Sequence, residues 1–120
     1  MKAILTVDDS ASMRQMVSFV LRGGGYEVVE AVDGLDALSK MTGRELHLIL
    51  TDINMPRMDG LEFTRQLRKI LEYKFIPVIL LTTESHADKK QEARAAGATA
   101  WIVKPFQPDQ LLAVVKKVMR

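Results

Sequence analysis

Five short apolar runs, each followed by a helical pattern, constrain the fold of this chain more than any other feature. Several runs are apolar at consecutive positions, which is typical of strands buried on both faces of a parallel sheet. The predicted strands are Ala3–Val7, Tyr26–Ala31, Leu46–Leu50, Pro77–Leu81 and Ala100–Val103. This alternation predicts repeated βα units, because right-handed crossovers allow few other arrangements.

The segments after the runs carry apolar residues at helical spacing. In the first, they recur at i, i+3, i+4, i+7 and i+8, which places them on one helix face. The stripes are Met13, Met16, Val17, Val20 and Leu21; Leu35, Leu38 and Met41; Leu61, Thr64, Leu67 and Leu71; a weakly amphipathic segment at Asp88–Ala96; and Leu111, Leu112, Val115, Val118 and Met119, with Pro108 in the first turn. Glycines at 23–25, 43 and 97 indicate helix ends. The triple glycine precedes a strand, whereas phosphate-binding loops follow one, so we interpret it as a turn.

The element order predicts an α/β fold. We expect a (βα)5 doubly wound, five-stranded parallel sheet with helices on both faces, formed as one domain over residues 1–120. In open sheets of this kind the ligand crevice lies beyond the carboxyl ends of the strands, where the strand order reverses. The residues that end or follow the strands are therefore the candidates for a functional site.

Composition narrows the classes of protein that fit. No apolar run approaches the roughly 20 residues of a membrane span, and Asp8 comes too early for a signal-peptide core, so we expect a cytoplasmic protein with no membrane contact. The absence of Cys excludes disulfides and thiolate metal sites. The net charge is +2, but the basic residues are scattered and are not interleaved with aromatic ones, so we expect no nucleic-acid binding.

Charged and hydroxyl side chains stand at the ends of four predicted strands. The pairs are Asp8-Asp9, Thr82-Thr83 and Lys104-Pro105, with Asp52 alone after the third strand. Asp33, after the second strand, is interpreted as the cap of the next helix. Each residue taken singly is ordinary for a helix cap or a solvated surface. Together they place three carboxylates, a hydroxyl and an ammonium group at one edge of the sheet.

This set of groups fits phosphoryl chemistry. Three neighbouring carboxylates repel one another unless a cation intervenes, and all-oxygen ligation suits Mg²⁺. Lys104 can hold a phosphoryl oxygen as a point charge, and the hydroxyl of Thr82 can hydrogen-bond another. Asp52, central among these groups, is the best candidate for a nucleophile that forms an aspartyl phosphate. Neither His47 nor His86 is a rival nucleophile, and both are interpreted as structural or surface residues.

Four motifs in order along the chain resemble those of the two-component receiver domain. They are V-D-D-S at Val7–Ser10, D-I-N-M-P-R-M-D-G at Asp52–Gly60, L-T-T-E at Leu81–Glu84 and V-K-P-F at Val103–Phe106. Within that family, M-R at Met13-Arg14 is similar to stand-alone, CheY-like chemotaxis response regulators. The resemblance implies a flavodoxin/CheY-like sheet with strand order 2-1-3-4-5.

The resemblance also implies roles for the site residues. Asp52 would accept phosphate from a kinase phosphohistidine, and Asp8 and Asp9 would bind Mg²⁺ with Asp52 and the backbone carbonyl of Asn54. Lys104 would contact the phosphoryl group and precede a cis proline bond.

Two further positions would form a conformational switch. Thr82 would contact the phosphoryl group and move inward, and the aromatic residue at 101 would follow it, reshaping the face formed by helix 4, strand 5 and helix 5. That residue is Trp101 here, where the family usually has Tyr or Phe, so the output surface can differ.

The implied partners are a CheA-like chemotaxis histidine kinase, a FliM-like flagellar motor switch protein or another target, and a phosphatase, with the chain itself monomeric. A phosphate sink or a receiver with a non-motor output would carry the same site. A haloacid-dehalogenase-type phosphohydrolase also uses an Asp nucleophile and Mg²⁺, but it expects D-x-D after its first strand, whereas this chain has D-D-S at Asp8–Ser10.

Overall fold

The five predicted βα units are present in the computed structural model, which describes residues 1–83 and 87–119. The strands are β1 (Ala3–Val7), β2 (Glu27–Ala31), β3 (Leu48–Asp52), β4 (Val78–Thr82) and β5 (Ala100–Val103). The helices are α1 (Ala11–Gly23), α2 (Gly34–Met41), α3 (Gly60–Leu67), α4 (Ala87–Ala96) and α5 (Pro108–Met119), with one 3₁₀ turn at Leu71–Tyr73. None of these helices is long and apolar enough to span a bilayer.

All strand pairs are parallel, and the strand order is β2-β1-β3-β4-β5. The fold class and the strand order are therefore confirmed. The order reverses between β1 and β3, so their carboxyl ends border the crevice in which ligands bind in open sheets of this kind. This crevice lies where Asp8 and Asp52 meet.

Alternate residues along each central strand enter two separate hydrophobic cores. On β1, Leu5 packs with α2, α3 and α4 on one face, whereas Ile4 packs with α1 and α5 on the other. Residues Ile49 and Leu50 of β3 divide in the same way. Both faces are thus buried, which explains why the strands are apolar at consecutive positions.

Several boundaries differ from the sequence prediction: β2 begins at Glu27 rather than Tyr26, and β4 spans Val78–Thr82 rather than Pro77–Leu81. The third strand begins at Leu48 rather than Leu46, and it ends at Asp52, which is therefore a strand residue rather than a loop residue. The third helix ends at Leu67, and Leu71 is 88% exposed in the 3₁₀ turn instead of extending the apolar stripe. The last turn tightens through i→i−3 hydrogen bonds, and the buried Tyr73 occupies the core instead.

Candidate functional site

Asp8 and Asp9 lie in the turn between β1 and α1. The Ser10 hydroxyl caps α1 by accepting a hydrogen bond from the Met13 amide (3.3 Å), and the Ser10 amide donates to Asp8 Oδ1 (2.9 Å). Arg14 Nη1 donates to the Asp8 backbone carbonyl (2.7 Å). These bonds hold the Asp8 carboxylate in a buried position, whereas Asp9 is exposed at the rim.

Asp52 ends the central strand, and its side chain lies between the Asp pair and Lys104. Its Oδ1 atom accepts hydrogen bonds from the Ile53 amide and from Lys104 Nζ, both at 3.0 Å. Lys104 Nζ also lies 3.7 Å from Asp8 Oδ2. Since the Lys104 side chain is only 14% exposed, its ammonium group is a largely buried counter-charge to two carboxylates.

The environment of Asp52 favours its neutral form. Burial raises the pKa of the Asp52 carboxyl above its ordinary value, the Lys104 ammonium partly opposes that rise, and the Asp8 carboxylate adds to it. A carboxylate in this position therefore gains from any additional positive charge that enters the site.

The side chains of Asp8, Asp9 and Asp52 can supply three carboxylate oxygens that lie within 4.8 Å of one another. Asp8 Oδ2 is buried and has no hydrogen-bond partner among the described residues, which is costly for a carboxylate oxygen unless a cation binds there. A hard divalent cation such as Mg²⁺ prefers oxygen ligands of this kind and keeps open positions for water or phosphate. The donor set therefore fits Mg²⁺.

The other predicted site residues lie on the same side of the sheet. Thr82 is the fully buried last residue of β4, and its carbonyl accepts a hydrogen bond from the Lys104 amide (2.7 Å). The Lys104–Pro105 peptide bond is cis. Asn54 is exposed in the loop after β3, and Trp101 is partly buried on β5, opposite Leu80 in the register.

Of the two histidines, only His47 lies within the described residues. His47 Nδ1 accepts a hydrogen bond from the Ala3 amide (3.0 Å) at the amino ends of the strands, which confirms its interpretation as a structural residue. Glu84 of the L-T-T-E motif and His86 lie outside the described residues.

The contacts of two arginines near the site were not predicted from the sequence. Arg14 holds the Asp8 backbone, as described above, and it also pairs with Glu30 on β2 at 3.2 Å. Arg57, in the loop after β3, forms an ion pair with Asp33 at 2.6 Å. In the sequence, Met13-Arg14 served only as a point of resemblance to CheY-like regulators, and no local pattern indicates the contacts of Arg14 or Arg57.

A family model of the response regulator receiver domain matches residues 4–116. The chain belongs to this family. Receiver domains are signalling modules that bind Mg²⁺ in the active site through acidic residues, and the cluster of Asp8, Asp9 and Asp52 stands at the corresponding edge of this receiver.

Known receivers share the fold and part of the sequence. The chemotaxis response regulator CheY4 of Vibrio cholerae is 49% identical over 98% of both chains, with a TM-score of 0.94. The receiver domain of the sensor histidine kinase PA1611 from Pseudomonas aeruginosa, with a magnesium ion coordinated in the active site cleft, is 26% identical over 98% of this chain and 97% of its own, with a TM-score of 0.91. The predicted resemblance to CheY-like receivers is confirmed.

A longer relative matches over part of its length. The phosphate regulon transcriptional regulatory protein PhoB of Pseudomonas aeruginosa is 38% identical over 119 residues, which are 99% of this receiver and 52% of PhoB. The chain thus spans about half the length of that relative. A receiver of this sequence type can therefore also occur in a protein that regulates transcription.

Proposed function

We propose that residues 1–120 form one receiver domain of a chemotaxis response regulator that is activated by phosphorylation of Asp52. The observation that carries this proposal is the placement of the Asp52 carboxylate, buried at the sheet edge, 3.0 Å from Lys104 Nζ and beside Asp8 and Asp9. A phosphoryl group placed there meets positive charge on the Lys104 side. The similarity to CheY4 supports the chemotaxis assignment.

The proposed reaction transfers a phosphoryl group from the phosphohistidine of a CheA-like kinase. An Asp52 carboxylate oxygen attacks the phosphorus, the new O–P bond forms, and the N–P bond to the imidazole breaks, so that the histidine leaves with the electron pair. Bound Mg²⁺ would supply positive charge that offsets the repulsion between the carboxylates and the incoming phosphate. Asp8, Asp9, Asp52 and the backbone carbonyl of Asn54 would hold it.

Lys104 and Thr82 would act on the phosphoryl oxygens. The Lys104 ammonium group already lies beside Asp52 Oδ1 and would hold one oxygen as a point charge. The Thr82 side chain, at the end of the neighbouring strand, would donate its hydroxyl hydrogen bond to another. In this scheme the receiver catalyses only its own phosphorylation and dephosphorylation.

The proposed output surface is formed by α4, β5 and α5. A cleft of about 260 Å³ lies along α4 and β5 and is lined by Trp101, Lys90, Arg94 and smaller residues. We propose that inward movement of Thr82 and Trp101 reshapes this surface, which would then bind a FliM-like motor switch protein. A dianion that prefers one of two states can supply the required difference in free energy.

Trp101 fluorescence should report this switch directly, because Trp101 is the only tryptophan. Adding beryllofluoride and Mg²⁺ to the receiver should shift the emission to shorter wavelength as the indole moves away from water. The indole Nε1 is buried without a hydrogen-bond partner among the described residues, which leaves the present ring position less favourable than it would be with one. Asp52→Asn, which should not bind beryllofluoride, is the control; an unchanged wild-type spectrum would contradict the aromatic switch but leave phosphorylation standing.

A pull-down with and without beryllofluoride tests the output. We expect activated receiver to retain the FliM-like switch protein at least several-fold better than the inactive form, while a CheA-like kinase binds both. Capture of the kinase alone would indicate a phosphate sink, and activation-dependent capture of a transcriptional partner would favour the output of the PhoB type. Turnover of small phosphate esters would favour a phosphohydrolase instead.

A further inference from the structure

The loop between β3 and α3 is fastened firmly at its base. The Gly60 amide donates to the Ile53 carbonyl (2.8 Å), which closes residues 53–60 into a compact loop. A Cβ atom on Gly60 would lie 2.2 Å from the Asp52 carbonyl oxygen, so the helix start packs directly on the end of β3. Backbone contacts alone therefore hold the base of the loop against the end of β3.

The tip of the loop is held by a different kind of contact. Arg57 has φ +67°, the only positive φ of a non-glycine residue in the described ranges 1–83 and 87–119. Arginine has no intrinsic preference for this left-handed conformation, which is disfavoured for residues with a Cβ. Its side chain makes a charged contact that can offset this cost: both Nε and Nη2 lie against Asp33 Oδ2, at 2.7 and 2.6 Å.

Asp33 is a rigid anchor for that contact. Its carboxylate is 4% exposed, and its Oδ1 atom caps α2 by accepting a hydrogen bond from the Asp36 amide (2.9 Å). The Asp36 amide and then Arg57 hold the pKa of Asp33 below its usual range, against the effect of burial. Arg57 is therefore tied to a charged, fixed oxygen.

The same two loops touch at a second point. Met58 packs on Gly34, where an added Cβ would lie 2.7 Å from Met58 Cγ, and the Gly34 amide donates weakly to the Met58 carbonyl (3.4 Å). On the other side, the Ala31 carbonyl accepts the Asp8 amide (3.1 Å). The end of β2 thus contacts Asp8, and the connection that follows it contacts the tip of the β3–α3 loop.

We infer that Arg57 and Asp33 form a positioning pair that holds the β3–α3 loop, and with it the backbone carbonyl of Asn54, at the carboxylate cluster and so sets the affinity for Mg²⁺. The inference rests on the proposed function, since it concerns the metal site of that function. Arg57 is not itself a ligand. It acts through the loop, as residues that orient metal ligands do.

The sign of the effect separates positioning from simple electrostatics. Removing the positive charge of Arg57 near a cation site should tighten Mg²⁺ binding if only charge matters. If Arg57 positions the loop, its removal should weaken binding. Asp33→Asn retains a helix cap, because Asn caps as well as Asp, but it loses the charge that holds Arg57.

The test is calorimetric titration of Mg²⁺ into wild type, Arg57→Gly, Asp33→Asn and the double variant. We expect all three variants to bind Mg²⁺ more weakly, by on the order of tenfold, and the double variant to be no weaker than either single one, because the two residues act as one unit. Saturating Mg²⁺ should restore the phosphotransfer rate. Glycine also relieves the positive φ, so unfolding without Mg²⁺ should change little. Arg65→Gln, which removes an exposed charge of α3, is the control and should stay within twofold.

Three outcomes would overturn the inference. Tighter binding by Arg57→Gly, weaker binding by Asp33→Asn and a double variant near wild type would show a pure charge effect. Binding by Arg57→Gly within twofold of wild type would show that the loop needs no such pair. Failure of the wild type to bind Mg²⁺ would overturn the proposed metal site as well, and so is distinguishable from the other two.

Discussion

Asp52→Asn should reduce phosphotransfer from the cognate kinase to background in an assay with radiolabelled kinase. The amide oxygen can still accept the hydrogen bonds from the Ile53 amide and Lys104, so the site keeps its shape. An amide is not a competent nucleophile for the phosphorus, so no O–P bond can form at this position. The expected loss is therefore complete rather than partial.

Asp59→Asn is the matched control for this variant. Asp59 lies in the same loop and caps α3 by accepting a hydrogen bond from the Glu62 amide (2.8 Å), a role that Asn performs equally well. The same chemical change seven residues away should leave labelling near wild type. Labelling of Asp52→Asn above a few per cent of wild type would show that another residue accepts the phosphate.

Asp52→Asn should also stabilise the metal-free protein at neutral pH. Because the folded-state pKa of Asp52 is raised, the stability that its neutral form contributes is present below the unfolded pKa and lost as the pH rises through the folded pKa. Asn cannot ionise, so it avoids that loss. Its advantage should vanish in acid, where the wild-type carboxyl is also neutral.

Much of the site follows from strand order and strand ends alone. Asp8 and Asp52 end or follow adjacent strands, and the parallel register brings their carboxylates together. Lys104 is separated from Asp52 by β4, but a lysine side chain is long enough to reach across one strand. The order of the strands in the sheet therefore brings residues that are far apart in the sequence to one site.

The features that sequence reasoning missed depend on contacts without a periodic signal. Arg57 and Asp33 are 24 residues apart on two loops, and arginine, unlike Gly, Asn or Asp, does not indicate a left-handed turn position. The extension of the third helix to Leu71 was wrong because apolar spacing continues beyond the hydrogen bonds that end the helix. Nearby, Arg68 donates to the carbonyls of Ile76 and Gly97, which fixes the α3–β4 connection through a charged side chain.

Lys104→Met should destabilise the metal-free protein. The substitution keeps an apolar stem but removes the ammonium group that lies 3.0 Å from Asp52 and 3.7 Å from Asp8. Loss of the ammonium group leaves largely buried carboxylates without a counter-charge, which should lower the free energy of unfolding at pH 7 by about 2 kcal/mol. This loss is smaller than for a fully enclosed ion pair, because the exposed Asp9 leaves one side of the cluster open to water.

The dependence on pH and Mg²⁺ identifies the cause of that loss in chemical denaturation experiments. Without Lys104 the folded-state pKa of Asp52 should rise further than in wild type. The loss of unfolding free energy relative to wild type should therefore appear as the pH rises above the wild-type folded-state pKa, and it should shrink in acid, where Asp52 is protonated in both proteins. Millimolar Mg²⁺ should stabilise Lys104→Met more than wild type, since the Lys104 ammonium group no longer competes with the cation.

Lys116→Met, on the exposed side of α5, is the control and should change the free energy of unfolding by less than about 0.5 kcal/mol. A deficit that is equal at all pH values and unaffected by Mg²⁺ would mean that Lys104 stabilises the fold through packing of its stem rather than through its charge.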